Sequence, residues 1–214
     1  MTNQEIFSRI DHTLLKAAAS WGEITTLCNE AVCHKTAAVC IPPSYVKPVY
    51  AEYAKDVVIC TVIGFPLGYN INAAKVVETV QALEDGAAEI DMVINIGNVK
   101  NGLFDLVYNE IKTIKMLCGE KILKVIVETC YLSEEEKIRL CGIVTEAGAD
   151  YIKTSTGFGT AGAALADIQL FHQHIGPHVK IKAAGGIKTL EDLEAFIGAG
   201  ADRIGASSAV KLLA

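Results

Sequence analysis

AGADYIKTSTGF, at residues 147–158, runs from the end of a helix through an apolar strand into a glycine-containing turn. Related stretches recur as DGAAEIDMV (85–93) and AGADRIGAS (199–207), each with a Gly-Ala pair before an apolar run. Glycine commonly ends a helix because it adopts the left-handed backbone without strain. The pattern therefore predicts helices that are followed at once by strands, as in a parallel α/β fold.

Eight apolar runs have the near-continuous hydrophobicity of parallel strands that are covered on both faces. They lie at residues 10–15, 36–41, 57–64, 88–95, 122–129, 150–156, 179–185 and 201–207. Between them, apolar residues recur three and four positions apart, which predicts amphipathic helices. These helical patterns lie at residues 21–32, 73–86, 104–119, 133–148, 163–176 and 189–200. Ser133, ahead of three glutamates, is predicted to begin one of the helices.

The alternation without a long linker predicts one α/β domain over residues 1–214. Eight strands favour a closed (β/α)₈ barrel, the TIM barrel, in a chain near the low end of the length that this fold needs. An open, doubly wound sheet is the alternative. No G-x-G-x-x-G follows an early strand, which weakens the dinucleotide-binding form of that alternative.

The chain carries 19 basic and 25 acidic residues, a formal charge of −6. This balance lacks the electrostatic footprint of a nucleic-acid-binding protein, so a local site must bind any phosphate. No run of 18 apolar residues is present, and the N-terminus lacks the basic-then-apolar order of a signal peptide. Seven cysteines at irregular spacings form no C-x-x-C pair. We therefore expect a cytoplasmic protein with no nucleic-acid or membrane partner.

Three of the charged residues that interrupt apolar strands are candidates for catalysis. Lys153 lies in DYIKTST, Lys182 lies in VKIKAAG on the next strand, and Asp91 lies in EIDMVIN. A buried charge is costly unless it is paired or neutral. Two lysines on adjacent strands lower each other's proton affinity, which favours a nucleophilic amine, and a carboxylate across the barrel can transfer protons. We predict that Lys153, Lys182 and Asp91 are catalytic; a structural salt bridge is the alternative for Asp91.

A phosphate site is predicted at the loops after the sixth, seventh and eighth strands. Barrels of this type often bind phosphate there, on free backbone amides and the start of a helix. The predicted phosphate-binding residues are Thr156, Gly157, Gly185, Gly186, Ser207 and Ser208. Ordinary turn and capping chemistry is the alternative for each of these motifs.

Other polar residues carry weaker signals. Asp11 and Cys40 end the first two strands, and both are predicted to line the pocket, Asp11 as a contact for a sugar hydroxyl. His172, His174 and His178 have a spacing that would suit a metal, but Gly176 and Pro177 should break the helix between them. We therefore predict no metal site there, and a solvated helix end instead.

The most specific motifs of the chain are YIKTSTGF, EIDMVINIG, IKAAGGI and RIGASSA. With these motifs, the chain resembles the deoxyribose-phosphate aldolase family over nearly its whole length. The resemblance implies that Lys153 is the Schiff-base lysine, Lys182 the lysine that perturbs it, and Asp91 the acid/base aspartate. Some members carry a lysine where this chain has Phe158, so backbone amides or groups elsewhere would have to supply the phosphate contact that this lysine makes.

The resemblance also implies an activity: reversible cleavage of 2-deoxy-D-ribose 5-phosphate to D-glyceraldehyde 3-phosphate and acetaldehyde, without metal or cofactor, by a homodimer. Two alternatives remain open on the residues alone. One is a different lysine-dependent barrel enzyme, such as a transaldolase-like or dehydratase-like protein. The other is a non-catalytic barrel that binds a sugar phosphate and uses its lysines only as charges.

Overall fold

The fold is a closed barrel of eight parallel strands in chain order, β1 to β8. The structure is a computed structural model, and it describes residues 1–213. The last strand closes on the first, with Ile204 opposite Ile10 and Ala206 opposite His12. This closure confirms the predicted (β/α)₈ barrel and excludes the open sheet.

The strands are short and the helices lie between them. The strands are β1 (Ile10–Thr13), β2 (Ala38–Ile41), β3 (Ile59–Ile63), β4 (Glu89–Val93), β5 (Ile122–Ile126), β6 (Tyr151–Lys153), β7 (Lys180–Ala184) and β8 (Arg203–Ala206). The helices are α1 (Asn3–Phe7), α2 (Trp21–His34), α3 (Val46–Tyr53), α4 (Asn72–Glu84), α5 (Ile96–Lys100), α6 (Phe104–Cys118), α7 (Glu134–Glu146), α8 (Leu165–His174), α9 (Leu190–Gly198) and α10 (Ala209–Leu213). Short 3₁₀ turns occupy Pro43–Tyr45 and Thr129–Tyr131. None of the helices within residues 1–213 has both the length and the apolar character needed to cross a membrane.

All six predicted helices are confirmed, but the sequence patterns missed the short helices α1 and α5, and also α3. That helix carries Pro48 in its first turn, where the missing amide hydrogen breaks no helical hydrogen bond. The predicted strands are confirmed with shorter bounds; β6, for example, ends at Lys153 instead of residue 156. The residues after Lys153 that were assigned to the strand instead belong to the loop at the carboxyl-terminal mouth of the barrel.

Two different environments lie on the two faces of the strands. On the outer face, fully buried residues such as Val39, Ile90, Val125 and Ile152 pack against the helices in one continuous core. Inside the barrel, the apolar cluster is small and consists of Ala38, Cys40, Cys60 and Val62 from β2 and β3. Most of the other strands carry charged side chains on their inner face.

The predicted start of α7 is confirmed by a capping box. The Ser133 hydroxyl accepts a hydrogen bond from the Glu136 amide at 3.2 Å, and the Glu136 carboxylate accepts one from the Ser133 amide at 2.7 Å. These two contacts satisfy two amides that the helix itself cannot pair.

We expect Ser133→Ala to lower the free energy of unfolding by about 1 kcal/mol, because it removes the hydroxyl acceptor at the helix start. Urea denaturation followed by circular dichroism measures the change. Ser44→Ala is the matched control, since Ser44 is exposed and its hydroxyl makes no hydrogen bond within residues 1–213. Equal stabilities for the two variants would contradict the capping role.

Candidate active site

The barrel interior holds a cluster of charged side chains that contact one another. Its members are Asp11, Glu89, Asp91, Lys124, Lys153, Lys182 and Arg203. These four basic and three acidic groups come from six different strands, which meet only because the sheet is closed. A buried charge needs a partner, and here the partners are supplied across the barrel axis.

Asp91 is the centre of the cluster nearest the mouth. Its Oδ2 lies 2.7 Å from the Nζ of Lys153 and 2.7 Å from the Nζ of Lys182. Its Oδ1 lies 2.9 Å from the Nζ of Lys124 and accepts a hydrogen bond from the Cys60 thiol at 3.1 Å. The three residues predicted to be catalytic are therefore brought into direct contact, and Lys124 joins them from below.

The deeper part of the cluster anchors these residues. Asp11 binds Lys182 through one oxygen and Arg203 at 2.5 Å through the other. Glu89 lies 2.5 Å from Lys124 and 3.4 Å from Arg203. Lys182 is thus bound by two carboxylates and Lys124 by three, whereas Lys153 contacts Asp91 alone.

The contacts decide the ionisation of the buried groups. Burial alone would raise the pKa of Asp91, but Lys124, Lys153 and Lys182 outweigh burial and hold that pKa well below its usual range. Burial alone would lower the pKa of Lys182, but Asp11 and Asp91 outweigh it and raise that pKa. The pKa of Lys124 is raised by carboxylates in the same way. Asp91 is therefore a carboxylate at neutral pH, and Lys182 is an ammonium.

A cavity of about 200 Å³ opens next to Lys153 at the carboxyl-terminal mouth. Of the residues predicted for the site, it is lined by Lys153, Thr156, Gly157, Gly185, Gly186 and Ser207. Gly185 and Gly186 have φ angles of +82° and +77°, which only glycine adopts without strain. Within residues 1–213, the amides of Gly157, Gly185, Gly186 and Ser207 donate to no other residue. The cavity therefore combines a buried amine with free hydrogen-bond donors.

Three predicted pocket residues do not reach this cavity. Asp11 is fully buried below it, with both oxygens bound to basic side chains, so the expected contact with a sugar hydroxyl is not available. Cys40 is fully buried in the apolar cluster inside the barrel. Ser208 lines an adjacent groove of about 620 Å³ between β1 and α2, which Ser207 also lines. For Asp11 and Cys40 the physical reason is depth, because a strand pattern gives the face of a residue but not its distance from the mouth.

Sequence reasoning missed Lys124, Arg203 and Glu128. Lys124 and Arg203 lie inside predicted strands, as Lys153 does, and this same signal would have found them. Glu128 follows β5, is 2% exposed and accepts hydrogen bonds from Thr156. Nothing in its sequence position distinguishes it, because its partner lies in the loop after β6, 28 residues further along the chain.

Two groups of side chains have the composition of a metal site: Cys40 with Cys60 and Asp91, and Asp11 with Cys60 and Glu89. Cys40, Cys60 and Asp91 converge inside the barrel, but the Lys124 ammonium lies 3.2 Å from the Cys60 sulphur and 2.9 Å from Asp91, where it supplies the positive charge. The histidine pattern is separated as predicted: α8 ends at His174, and His178 lies beyond it.

We expect Lys124→Met to lower the free energy of unfolding by about 3–5 kcal/mol, because it leaves Asp91 and Glu89 buried with too little positive charge. Adding Glu89→Gln should recover part of that loss, since it removes one of the uncompensated carboxylates. Urea denaturation of the single and double variants measures both effects. If the loss in the double variant equalled the sum of the losses in Lys124→Met and Glu89→Gln, the two residues would not balance each other's charge.

The pH dependence of stability distinguishes a loss of charge pairing in Lys124→Met from a loss of packing. The folded-state pKa of Asp91 is lowered, so its contribution to stability is present above its unfolded pKa of about 4 and is lost as the pH falls through the folded value. The stability difference between the parent and Lys124→Met should therefore be largest near neutral pH and shrink as the pH falls below about 4. A constant difference would point to packing alone.

Comparisons with known proteins agree with this geometry. The family model described as "DeoC/LacD family aldolase" matches residues 6–213. A deoxyribose-phosphate aldolase of Clostridium botulinum (strain Eklund 17B / Type B) is 60% identical over 213 residues, which cover 100% of this chain and 96% of that protein.

Two solved structures share the fold and much of the sequence. The aldolase QR15 has a TM-score of 0.93 and 42% identity, covering 97% of this chain and 94% of its own. A tetrameric deoxyribose phosphate aldolase from Aeropyrum pernix has a TM-score of 0.93 and 34% identity, covering 99% of this chain and 91% of its own. The resemblance seen in the motifs is confirmed, and the chain belongs to the DeoC/LacD family of aldolases.

Proposed function

We propose that this protein is a class I aldolase that reversibly cleaves 2-deoxy-D-ribose 5-phosphate to D-glyceraldehyde 3-phosphate and acetaldehyde. The observation that carries the proposal is the position of Lys153: its amine lies at the floor of the cavity and 2.7 Å from a carboxylate. The choice of substrate rests on the relatives that are named deoxyribose-phosphate aldolase.

Cleavage begins when the Lys153 amine adds to the aldehyde carbon C1 of the open-chain sugar. The new C–N bond forms as the carbonyl electron pair moves to oxygen, which is protonated and leaves as water to give an iminium. Asp91 is the nearest proton acceptor, and the Lys182 ammonium touches the same Asp91 oxygen, so a proton can pass along this chain.

The iminium then acts as the electron sink. Loss of the proton from the C3 hydroxyl breaks the C2–C3 bond, releases glyceraldehyde 3-phosphate and leaves the C2–C3 electron pair in an enamine. Protonation at C2 and hydrolysis of the iminium release acetaldehyde and restore the Lys153 amine. Every step uses protons and water only, so we propose that neither a metal nor a cofactor is required.

The substrate phosphate is proposed to bind the free amides of Gly157, Gly185, Gly186 and Ser207. Four unpaired N–H groups in one cavity are a suitable set of donors for phosphate oxygens. Ser208 follows Ser207 at the start of α10 and is proposed to complete the segment from the adjacent groove.

Borohydride trapping with acetaldehyde tests the nucleophile. We expect the parent protein, with EDTA present, to gain the mass of one ethyl adduct, because borohydride reduces the imine on Lys153 to a stable amine. Lys153→Ala should gain no adduct and lose turnover of deoxyribose 5-phosphate. Intact mass spectrometry and a coupled readout of glyceraldehyde 3-phosphate make the two measurements.

Lys180→Ala is the matched control, since Lys180 is exposed at the opposite end of β7 and should leave trapping unchanged. An adduct that persists in Lys153→Ala would assign the chemistry to another amine. Absence of any adduct in the parent would favour a non-catalytic barrel that binds a sugar phosphate.

We also propose that the chain forms a homodimer in the cytoplasm. Large apolar side chains such as Ile71, Val77 and Met116 are exposed at the surface, where a contact with a second subunit would bury them. The irregular cysteine pattern suits a reducing compartment. Light scattering after size-exclusion chromatography should give twice the chain mass of 22.8 kDa, and the mass of one chain would contradict the dimer.

A further inference from the structure

Glu128 is a buried carboxylate without a basic partner. It is 2% exposed, and it takes part in none of the salt bridges within residues 1–213. Its φ angle of +57° lies in the left-handed region, which is uncommon for a residue other than glycine. A charge held in this way must be satisfied by hydrogen bonds, so its hydrogen-bond donors indicate its role.

The two closest donors come from a single residue at the cavity, while the Cys130 thiol is a more distant donor at 4.0 Å from Oε1. The Thr156 amide donates to the two carboxylate oxygens at 3.1 and 3.3 Å, and the Thr156 hydroxyl donates to Oε2. The same hydroxyl oxygen accepts a hydrogen bond from the Phe158 amide at 3.0 Å. We call the Glu128 carboxylate, together with the amide and hydroxyl of Thr156, the Glu128 clasp.

The clasp changes what Thr156 can offer to a ligand. Thr156 lines the cavity, but its N–H and its O–H both donate to Glu128. Neither group is free to bind a phosphate oxygen while these hydrogen bonds to Glu128 are present. The free donors are the amides of Gly157, Gly185, Gly186 and Ser207, which also line the cavity.

The clasp continues the pairing of two strands beyond their ends. The Val127 amide donates to the Lys153 carbonyl at 3.0 Å, and the Thr129 amide donates to the Thr154 carbonyl at 2.9 Å. Between these two backbone contacts, the Glu128 side chain reaches Thr156. Lys153 and the segment that follows it are therefore bound at three points to residues 127–129, just beyond the end of β5.

The loop then passes close to the clasp and to the turn after β7. A Cβ atom at Gly159 would lie 3.3 Å from Glu128 Oε1 and 2.8 Å from the Cys130 sulphur, so the backbone approaches the carboxylate closely. On the opposite side, a Cβ at Gly185 would lie 3.3 Å from the Cα of Gly157. Residues 156–159 are thus held between Glu128 and the glycine turn that lines the cavity.

We propose that Glu128 is a positioning residue for phosphate recognition in the aldolase reaction. It holds residues 156–159 so that the Gly157 amide faces the cavity together with the amides of Gly186 and Ser207. It acts through Thr156 and does not touch the substrate. This proposal rests on the proposed function for its substrate, and it assigns Glu128 to the discrimination between phosphorylated and unphosphorylated sugars.

Steady-state kinetics of Glu128→Gln on two substrates test the proposal. We expect KM for deoxyribose 5-phosphate to rise about tenfold or more, since a misplaced donor to a charged group weakens binding by that order. The kcat should stay within about threefold, and KM for unphosphorylated 2-deoxyribose within about twofold, because Lys153 and its contacts are untouched. Glu120→Gln, at an exposed carboxylate without a hydrogen bond within residues 1–213, should match the parent.

Equal rises in KM for the two sugars, or a loss of kcat at constant KM, would overturn the proposal. Thr156→Val opens the clasp from its other side and serves if Glu128→Gln does not fold; it should show the same selective rise in KM. Where both single variants fold, the double variant is also measured. Its KM for deoxyribose 5-phosphate should stay within about twofold of the higher of the two single-variant values, because both changes disrupt the same interaction. Independent losses would contradict the clasp.

A failure of the proposed function would be recognised separately, because the parent protein would then not turn over deoxyribose 5-phosphate. In that case calorimetric titration with inorganic phosphate decides the role of Glu128. Weaker binding of phosphate to Glu128→Gln than to the parent would support the clasp. Equal binding to both, or no binding to either, would overturn it.

Discussion

The structure depends on the ion pairs that Asp91 makes inside the barrel. A carboxylate at this depth is tolerated only because Lys124, Lys153 and Lys182 reach its two oxygens from three other strands. Those contacts exist only in a closed sheet, so closure of the barrel and charge balance require each other. The apolar outer core supplies the driving force for folding, and the inner cluster determines how the strands can be arranged.

The same cluster separates the lysines by what they can do. Lys182 and Lys124 are bound by several carboxylates, which keeps them charged and fixed. Lys153 has one carboxylate contact and faces the cavity, so its amine can reach a ligand with little rearrangement of the cluster. The ion pairs of Lys124 and Lys182 thus lie below Lys153, and the free amides of the glycine turns lie around the cavity. Glu128 connects these two regions, because it holds the loop that begins just after Lys153.

Sequence patterns predicted a large part of this arrangement. Lys153, Lys182 and Asp91 were recognisable because a charge in an apolar strand is costly, and the structure brings all three into contact. The same argument applies to Lys124 and Arg203, which also lie in apolar strands and join the cluster. The phosphate loops were recognisable from their glycines, although the donor groups of Thr156 are already bound within the protein.

The sequence by itself determined the order of strands and helices, the family, and which face of each strand a charged residue occupies. Local periodicity and turn chemistry carry that information, because they depend on neighbouring residues. Only the tertiary structure decided how far each side chain lies from the mouth of the barrel and which residue it contacts. Asp11 and Cys40 lie below the cavity, and Glu128 binds Thr156. These features depend on contacts between residues distant in the chain, which the closed barrel brings together and no local pattern records.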